Sequence, residues 1–384
     1  MALTRLNTNA YASTVDLTSN VTGELPDANI GPKLDYRNII INGDMQVSQR
    51  GTSFASNGYT LDRYTMDEST DGAVTVTQDT DVPSGYGFAK SLKVDCTTAD
   101  GTIGAAQYCG FTQNIEGQNL QYLKYGTSSA QTLTLSFWVK SVKTGIYCVR
   151  FVKEAGSGTR YECPIEYTIS SASTWEKKTI TLTPTAGSTS LITAANGAIV
   201  NSNASGFRVF FALAVGSNFQ ATNNTWVAGS DKLGTSNQVN FLDSTSNNFW
   251  ITGVQLEAGS VATDFEVETF GQNLQRCQRY YEKSYNYADP PATTGSGGSN
   301  GLQFGGATAN IDATVLMSVR KRAAPTLTVY DLAGTSNKAS YYTGSWSNGG
   351  SLGGSRAKET YVHVDTNISS SSIVAWQYTA AAEL

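Results

Sequence analysis

The side chains able to do chemistry in this sequence are few, and they lean toward aromatic rings and amides. One histidine is present, His363, between Val362 and Val364. A single histidine leaves almost no room for a Ser-His-Asp triad or a His-rich metal site within one chain. His363 is expected to be a structural or surface residue of a strand. Glycoside hydrolysis asks only for two carboxylates about 5–10 Å apart. Glu154, Glu162, Glu166, Asp243, Glu257 and Glu266 are available for that, but spacing along the sequence does not pair them. Cys96, Cys109, Cys148, Cys163 and Cys277 are odd in number and lack CxxC spacing, so reduced, mostly buried thiols are expected rather than a disulfide framework. The glycines of 289–301 are not followed by Lys-Ser/Thr and a helix start, which rules them out as a phosphate loop.

The tryptophans divide by context. Trp138 and Trp376 sit within apolar runs and are expected in the core. Trp226 (Asn-Asn-Thr-Trp-Val) and Trp346 (Gly-Ser-Trp-Ser-Asn-Gly) have polar, glycine-rich surroundings. Such rings suit sugar binding, the ring stacking on a C–H face while amides bond the hydroxyls. The other outcome for each is a loop aromatic folded back onto the core. The segment 341–353 adds Tyr341 and Tyr342 to Trp346 among small polar residues, the composition of adaptable binding loops.

The elements that must hold these residues read as β-structure. Only 15% of the 384 residues are charged, against the usual quarter or so. Gly (37) and Tyr (20) are abundant, and long Glu/Lys/Ala-rich helices are absent. Strand candidates are 38–42, 73–77, 91–95, 131–140, 146–152, 164–168, 178–183, 206–215 and 249–256. In 132–140, Leu133, Leu135, Phe137 and Val139 share one face. In 249–256 the alternation is broken by Gly253, as at a bulge. Many short strands punctuated by turns predict an all-β fold, a jelly-roll β-sandwich over 36–266. From Phe270 the spacing becomes helical: Phe270, Leu274, Cys277 and Tyr281 recur every three or four residues. This predicts a short linking helix within 267–288 whose stripe either forms an interchain seam or packs on its own sandwich. Residues 289–301 are a Pro/Gly/Ser-rich linker or loop, and 289–384 form a C-terminal β domain with strands at 309–319, 326–329, 362–364 and 373–378. Residues 1–35 are polar, with Leu17, Leu25 and Ile30 as isolated anchors. They are read as an extended arm that orders on something else, or as a loose tail.

A net charge of −5 with few cations excludes nucleic acid as an expected partner. The one basic run, Ser318-Val-Arg-Lys-Arg, is read as a solvated strand end. The N-terminus lacks the apolar core of a signal peptide, and no apolar run reaches the roughly 18 residues needed to span a bilayer. Membrane insertion is therefore not expected.

Several segments resemble one class of protein. Asn38-Ile-Ile-Ile-Asn-Gly-Asp-Met-Gln46 is similar to the opening strand of jelly-roll, carbohydrate-binding-module-like domains in bacteriophage tail fibres and related virion proteins. Tyr59-Thr-Leu-Asp-Arg-Tyr64 resembles their Asp-Arg-aromatic turn, with Tyr64 where tryptophan is usual. Ser136-Phe-Trp-Val-Lys-Ser141 and Gly253-Val-Gln-Leu-Glu-Ala-Gly259 resemble their central and closing strands, and Cys277-Gln-Arg-Tyr-Tyr281 the helix that often follows. Val15-Asp-Leu-Thr18 with Gly23-Glu-Leu-Pro26, Arg322-Ala-Ala-Pro-Thr326 and Ala381-Ala-Glu-Leu384 resemble flanking parts of the same proteins. The resemblance implies a non-enzymatic tail-fibre protein of the virion, made in the host cytoplasm. It would be a homotrimer, docked through 1–35 to other virion proteins (a tail adaptor, nozzle or capsid) and contacting a host surface glycan or protein. Head decoration, an adaptor role or a polysaccharide depolymerase are the alternatives. Modules of this kind often hold a structural calcium near these strands, which marks Asp44 and Glu257 as ligand candidates; ordinary hydrogen bonding is the other outcome, and no further cofactor is implied.

Overall fold

Alternation of apolar and polar residues produces two facing antiparallel sheets, as expected for an all-β sandwich. The computed structural model describes residues 37–55, 57–155, 159–229, 231–294, 301–305, 311–368 and 373–384. The arm anchors Leu17, Leu25 and Ile30 lie outside them. The sandwich strands are β1 (Ser53–Ala55), β2 (Gly58–Tyr59), β3 (Thr65–Ser69), β4 (Ala73–Asp79), β5 (Ser91–Thr98), β6 (Tyr108–Glu116) and β7 (Leu133–Ser141). They continue with β8 (Gly145–Lys153), β9 (Tyr161–Ile169), β10 (Glu176–Leu182), β11 (Ser205–Val215), β12 (Val227–Ala228) and β13 (Asn248–Ala258). One sheet runs β1-β4-β5-β13-β7-β10 and the other β12-β9-β8-β11-β6-β3-β2. The closing strand β13 is inserted between β5 and β7, and its register shifts between Thr252 and Gln255. Gly253 stands there at φ +61°, so the expected bulge is present.

Leu133, Leu135, Phe137 and Val139 are fully buried, facing the second sheet. Rings cross the gap: Phe137 meets Phe211 edge-on at 5.4 Å, and Phe111 meets Phe249 at 6.0 Å. All five cysteines are free and buried, as expected.

The segment 38–42 is not a strand. Its asparagines satisfy the backbone instead of a ladder. Asn38 Oδ1 accepts from the Ile40 and Leu256 amides (3.0 and 3.1 Å), and Asn42, at φ +59°, donates from Nδ2 to the Val47 and Asp62 carbonyls.

The short helix α1 (Phe270–Gln278) begins with a capping box of Thr269 and Gln272. It ends earlier than its stripe predicted: Tyr281 belongs to strand β14 (Tyr281–Lys283) and pairs with Ala381. Cys277 and Tyr281 are enclosed by their own chain, whereas Phe270 is largely exposed and packs on Tyr287. Two of the four seam positions are thus used internally. Beyond lie β15 (Leu302–Gly305), β16 (Asp312–Leu316), β17 (Thr326–Tyr330), β18 (Lys338–Tyr342), β19 (Trp346–Ala357), β20 (Tyr361–Thr366) and β21 (Ile373–Ala381). They form a further antiparallel sheet on β21, with its own core around Val364, Val374 and Trp376. The segment 341–353 is therefore mostly a hairpin of β18 and β19 rather than a loop.

Residues 38–384 form one compact unit, and its joint is ionic. Arg279 donates from Nε and Nη2 to the buried carboxylate of Glu116 (2.7 and 2.8 Å), which also accepts from the Tyr280 hydroxyl at 2.6 Å. Glu383 pairs with Arg50 and Arg63, whose guanidinium groups lie 3.6 and 3.5 Å from the Tyr281 and Tyr280 ring centres. The basic run 318–322 is largely part of this joint, which corrects its reading as a solvated end. Lys321 is buried against Glu282 at 2.6 Å, and Arg322 donates to the Ala382 and Glu383 carbonyls. Such partners exist only once the two β blocks meet. Among the described residues no helix is long and apolar enough to cross a membrane.

Candidate functional site

The same alternation that buries Leu135, Phe137 and Val139 sends Ser136, Trp138 and Lys140 to the outer face of the first sheet. Register then places partners beside them. Trp138 lies opposite Thr252 on one side and Lys177 on the other, and Lys140 lies opposite Trp250. The bulge at Gly253 lets the Phe88 ring sit directly on the strand, because a Cβ there would come within 2.6 Å of Phe88 Cζ. Phe88 in turn packs edge-on against Phe265 at 5.2 Å. Tyr86 covers Trp138 with ring centres 4.2 Å apart. These rings, with Val267, line a cleft of about 350 Å³ whose polar groups are Asp44, Gln46, Ser136, Lys177 and Asp264.

The wall carrying Tyr86 and Phe88 is the 80–90 loop, fastened at both ends. Asp81 accepts from Lys140 and from Trp175 Nε1 (3.0 Å), the Ser91 hydroxyl donates to the Asp81 carbonyl (2.6 Å), and Thr252 Oγ1 donates to the Lys90 carbonyl (2.7 Å). Beyond Trp138 the aromatic surface continues to Trp250, whose ring lies 4.2 Å from Lys140 Nζ.

Asp44 stands at the cleft's inner end. Burial pushes its carboxyl above the usual range, opposed by hydrogen bonds from Gln46 and Asn273 (2.6 and 2.9 Å). Glu257 is also buried; its oxygens accept from the Thr263 amide and hydroxyl (2.9 and 2.7 Å) and from Gln255 Nε2. Calcium needs six to eight oxygen ligands. These carboxylates instead face N–H and O–H donors in two separate sets, so the residues present do not fit the ion.

The remaining sequence candidates are dispersed. Trp226 is only 1% exposed and donates from Nε1 to the Thr183 carbonyl at 2.9 Å. It belongs to the sandwich core, because pairing of β12 with β9 carries a locally polar segment over the sandwich mouth. Trp138 is the reverse correction: a strand tryptophan that faces out. Tyr341 packs on the C-terminal core, whereas Tyr342 is 39% exposed and meets its cross-strand partner Trp346 edge-on at 5.5 Å, a ledge at a hairpin tip. None of Glu154, Glu162, Glu166, Asp243, Glu257 or Glu266 lines the cleft. Glu154 pairs with Arg208, Glu162 with Arg150, and Asp243 with Lys143. His363 is half-buried on β20 and groups with Asp312 and Asp365, their ligating atoms within 4.8 Å of one another. Arg356, 3.3 Å from Asp365, supplies a cation there already.

Tyr86, Phe88 and Phe265 were missed as site residues. They lie in segments without periodicity, and only the tertiary fold brings them to Trp138. Trp138 itself carried a usable signal: three buried neighbours at period two force the residue between them outward.

No family model matches the chain, and no curated protein matches it. Among solved structures it is similar to the enzymatically active domain of tailspike protein 4 from bacteriophage CBA120, at 16% identity over 58% of this chain and 22% of that one, TM-score 0.32. The match thus spans about a fifth of that tailspike chain. It is also similar to a family 11 carbohydrate-binding module of a cellulosomal cellulase of Clostridium thermocellum (12% identity, 55% and 98% of the two chains, TM-score 0.27). A xylan-binding domain from Paenibacillus barcinonensis matches at 10% identity over 59% and 96% of the two chains, TM-score 0.27. Likeness at this level leaves the function to be decided by the cleft.

Proposed function

We propose that this protein is a non-catalytic glycan-binding component of a phage fibre. The observation that carries the glycan reading is the cleft over Trp138. It sets rings against a volume suited to a few sugar units, with a cation, a hydroxyl and carboxylates at its edge. Rings give stacking surface for C–H faces, and the polar edge gives hydrogen bonds that set orientation. The virion assignment rests on the sequence motifs. In that reading 1–35 docks to the particle and three copies present three clefts, so weak single-site affinity is multiplied.

Asp44 and Asp264 both line the cleft, which is the observation favouring a depolymerase. Against it, the Gln46 and Asn273 amides each hold one oxygen of Asp44, which ties the carboxyl into the cleft wall. The test is glycan-array binding by the purified protein and by Trp138→Ala, with reducing-end release measured on the glycans retained. Binding lost in the variant without release of reducing ends is expected. Equal binding by the variant refutes the cleft, and release abolished by Asp44→Asn refutes the non-catalytic reading.

A further inference from the structure

Tyr86 is placed differently from the other rings of the cleft. It is 60% exposed, and its described ring contact is Trp138, at 4.2 Å and an interplanar angle of 45°. Its neighbours are both glycines in the left-handed region, Gly85 at φ +85° and Gly87 at φ +78°. A Cβ added to either would meet no atom within 4 Å, so packing does not require glycine there; the backbone conformation does. The ends of the loop are held, by Asp81 to Lys140 and Trp175 and by the Lys90 carbonyl to Thr252. Phe88 is held by contact with Phe265 and the bulge. The part free to swing is therefore Gly85-Tyr86-Gly87, between two fixed points.

We propose that Tyr86 is a gate: its ring occupies the face of Trp138 on which a sugar stacks, and ligand enters by displacing it about the two glycines. The proposal rests on the glycan reading of the cleft. Tyr86 would then set the apparent affinity of the cleft for any ligand that stacks on Trp138. The closed form lowers apparent affinity by the fraction of molecules in which Trp138 is covered.

The experiment measures binding of cellohexaose, xylohexaose and chitohexaose by calorimetry, together with acrylamide quenching of tryptophan fluorescence without ligand. Tyr86→Ala is expected to bind about threefold to tenfold more tightly than the unmodified protein, from loss of one competing aromatic pair. Tyr86→Phe should behave as the unmodified protein. Without ligand, Tyr86→Ala should raise quenching, and should not do so in a Trp138→Phe background. Weaker binding by Tyr86→Ala would make Tyr86 a sugar contact and overturn the gate while leaving the cleft reading intact. Unchanged quenching overturns the gate whether or not a sugar binds. Binding unaffected by Trp138→Ala overturns the cleft reading itself. Circular dichroism of each variant excludes unfolding as the cause.

Discussion

Gly253→Ala tests the link between the strand bulge and the cleft. The residue stands at φ +61°, where an L side chain costs about 1–2 kcal/mol. Loss of unfolded-state freedom returns about 0.4–1 kcal/mol of that. The new Cβ would sit 2.6 Å from Phe88 Cζ, and ordinary contact begins at 3.4 Å. The ring must therefore retreat by 3.4 − 2.6 = 0.8 Å, against Phe265, a crowding cost of about 1 kcal/mol. The sum is about 2 kcal/mol, a fall in Tm of a few degrees for a chain of this size. If Phe88 is a wall of the binding site, glycan affinity should fall with it, by about threefold to tenfold for one displaced aromatic contact. Calorimetric melting and glycan titration of the same preparation read both quantities. A lower Tm with unchanged affinity would remove Phe88 from the site. An unchanged Tm would contradict the bulge geometry.

Glu116→Gln should destabilise the protein by about 3 kcal/mol, the low end for breaking a buried pair because Arg279 keeps some solvent; denaturant melting checks it. Burial pushes the Glu116 carboxyl up, but hydrogen bonds from Arg279 and Tyr280 outweigh it and hold the group below its ordinary 4.5. Its contribution is thus present above that pH and lost as pH falls through the lower folded value, so melting of the Gln variant should decline less below pH 4.5 than that of the unmodified protein. Burial lowers the Lys283 ammonium from 10.5 to about 8. Because the unfolded chain holds that proton to higher pH, this group should make stability rise between those two values, and Lys283→Met should abolish the rise in pH-dependent melting. Trp226→Ala should cost about 3–5 kcal/mol as a core truncation, read by denaturant melting; a loss of glycan binding without loss of stability would return Trp226 to the surface. Phage carrying Trp346→Ala with Tyr342→Ala should adsorb more slowly if the hairpin ledge touches the host, and unchanged adsorption of intact particles would confine recognition to the cleft.

Much of the framework was legible in the chain. The period-two pattern of Leu133, Leu135, Phe137 and Val139 is a local consequence of strand geometry, and it held through folding. Gly253 announced the bulge and Phe270 the helix start for the same reason: backbone conformation is chosen by residues close in sequence. What failed involved partners distant in sequence. Residues 38–42 looked like a strand because the partners that hold Asn38, the carbonyl of Val254 and the amide of Leu256, lie more than 200 residues away. Tyr281 continued a helical stripe yet joined a strand, because Ala381 was there to pair with it. Lys321 looked solvated until Glu282 came within 2.6 Å. Trp138 and Trp226 exchanged their expected places, since local polarity says what a segment tolerates whereas sheet register and loop closure decide which face meets water. Local sequence determined the strands, the bulge and the short helix; the cleft, which joins a loop at 80–90, three strands and the irregular segment 264–267, exists only in the tertiary structure, because surface aromatics acquire meaning from the neighbours that folding brings to them.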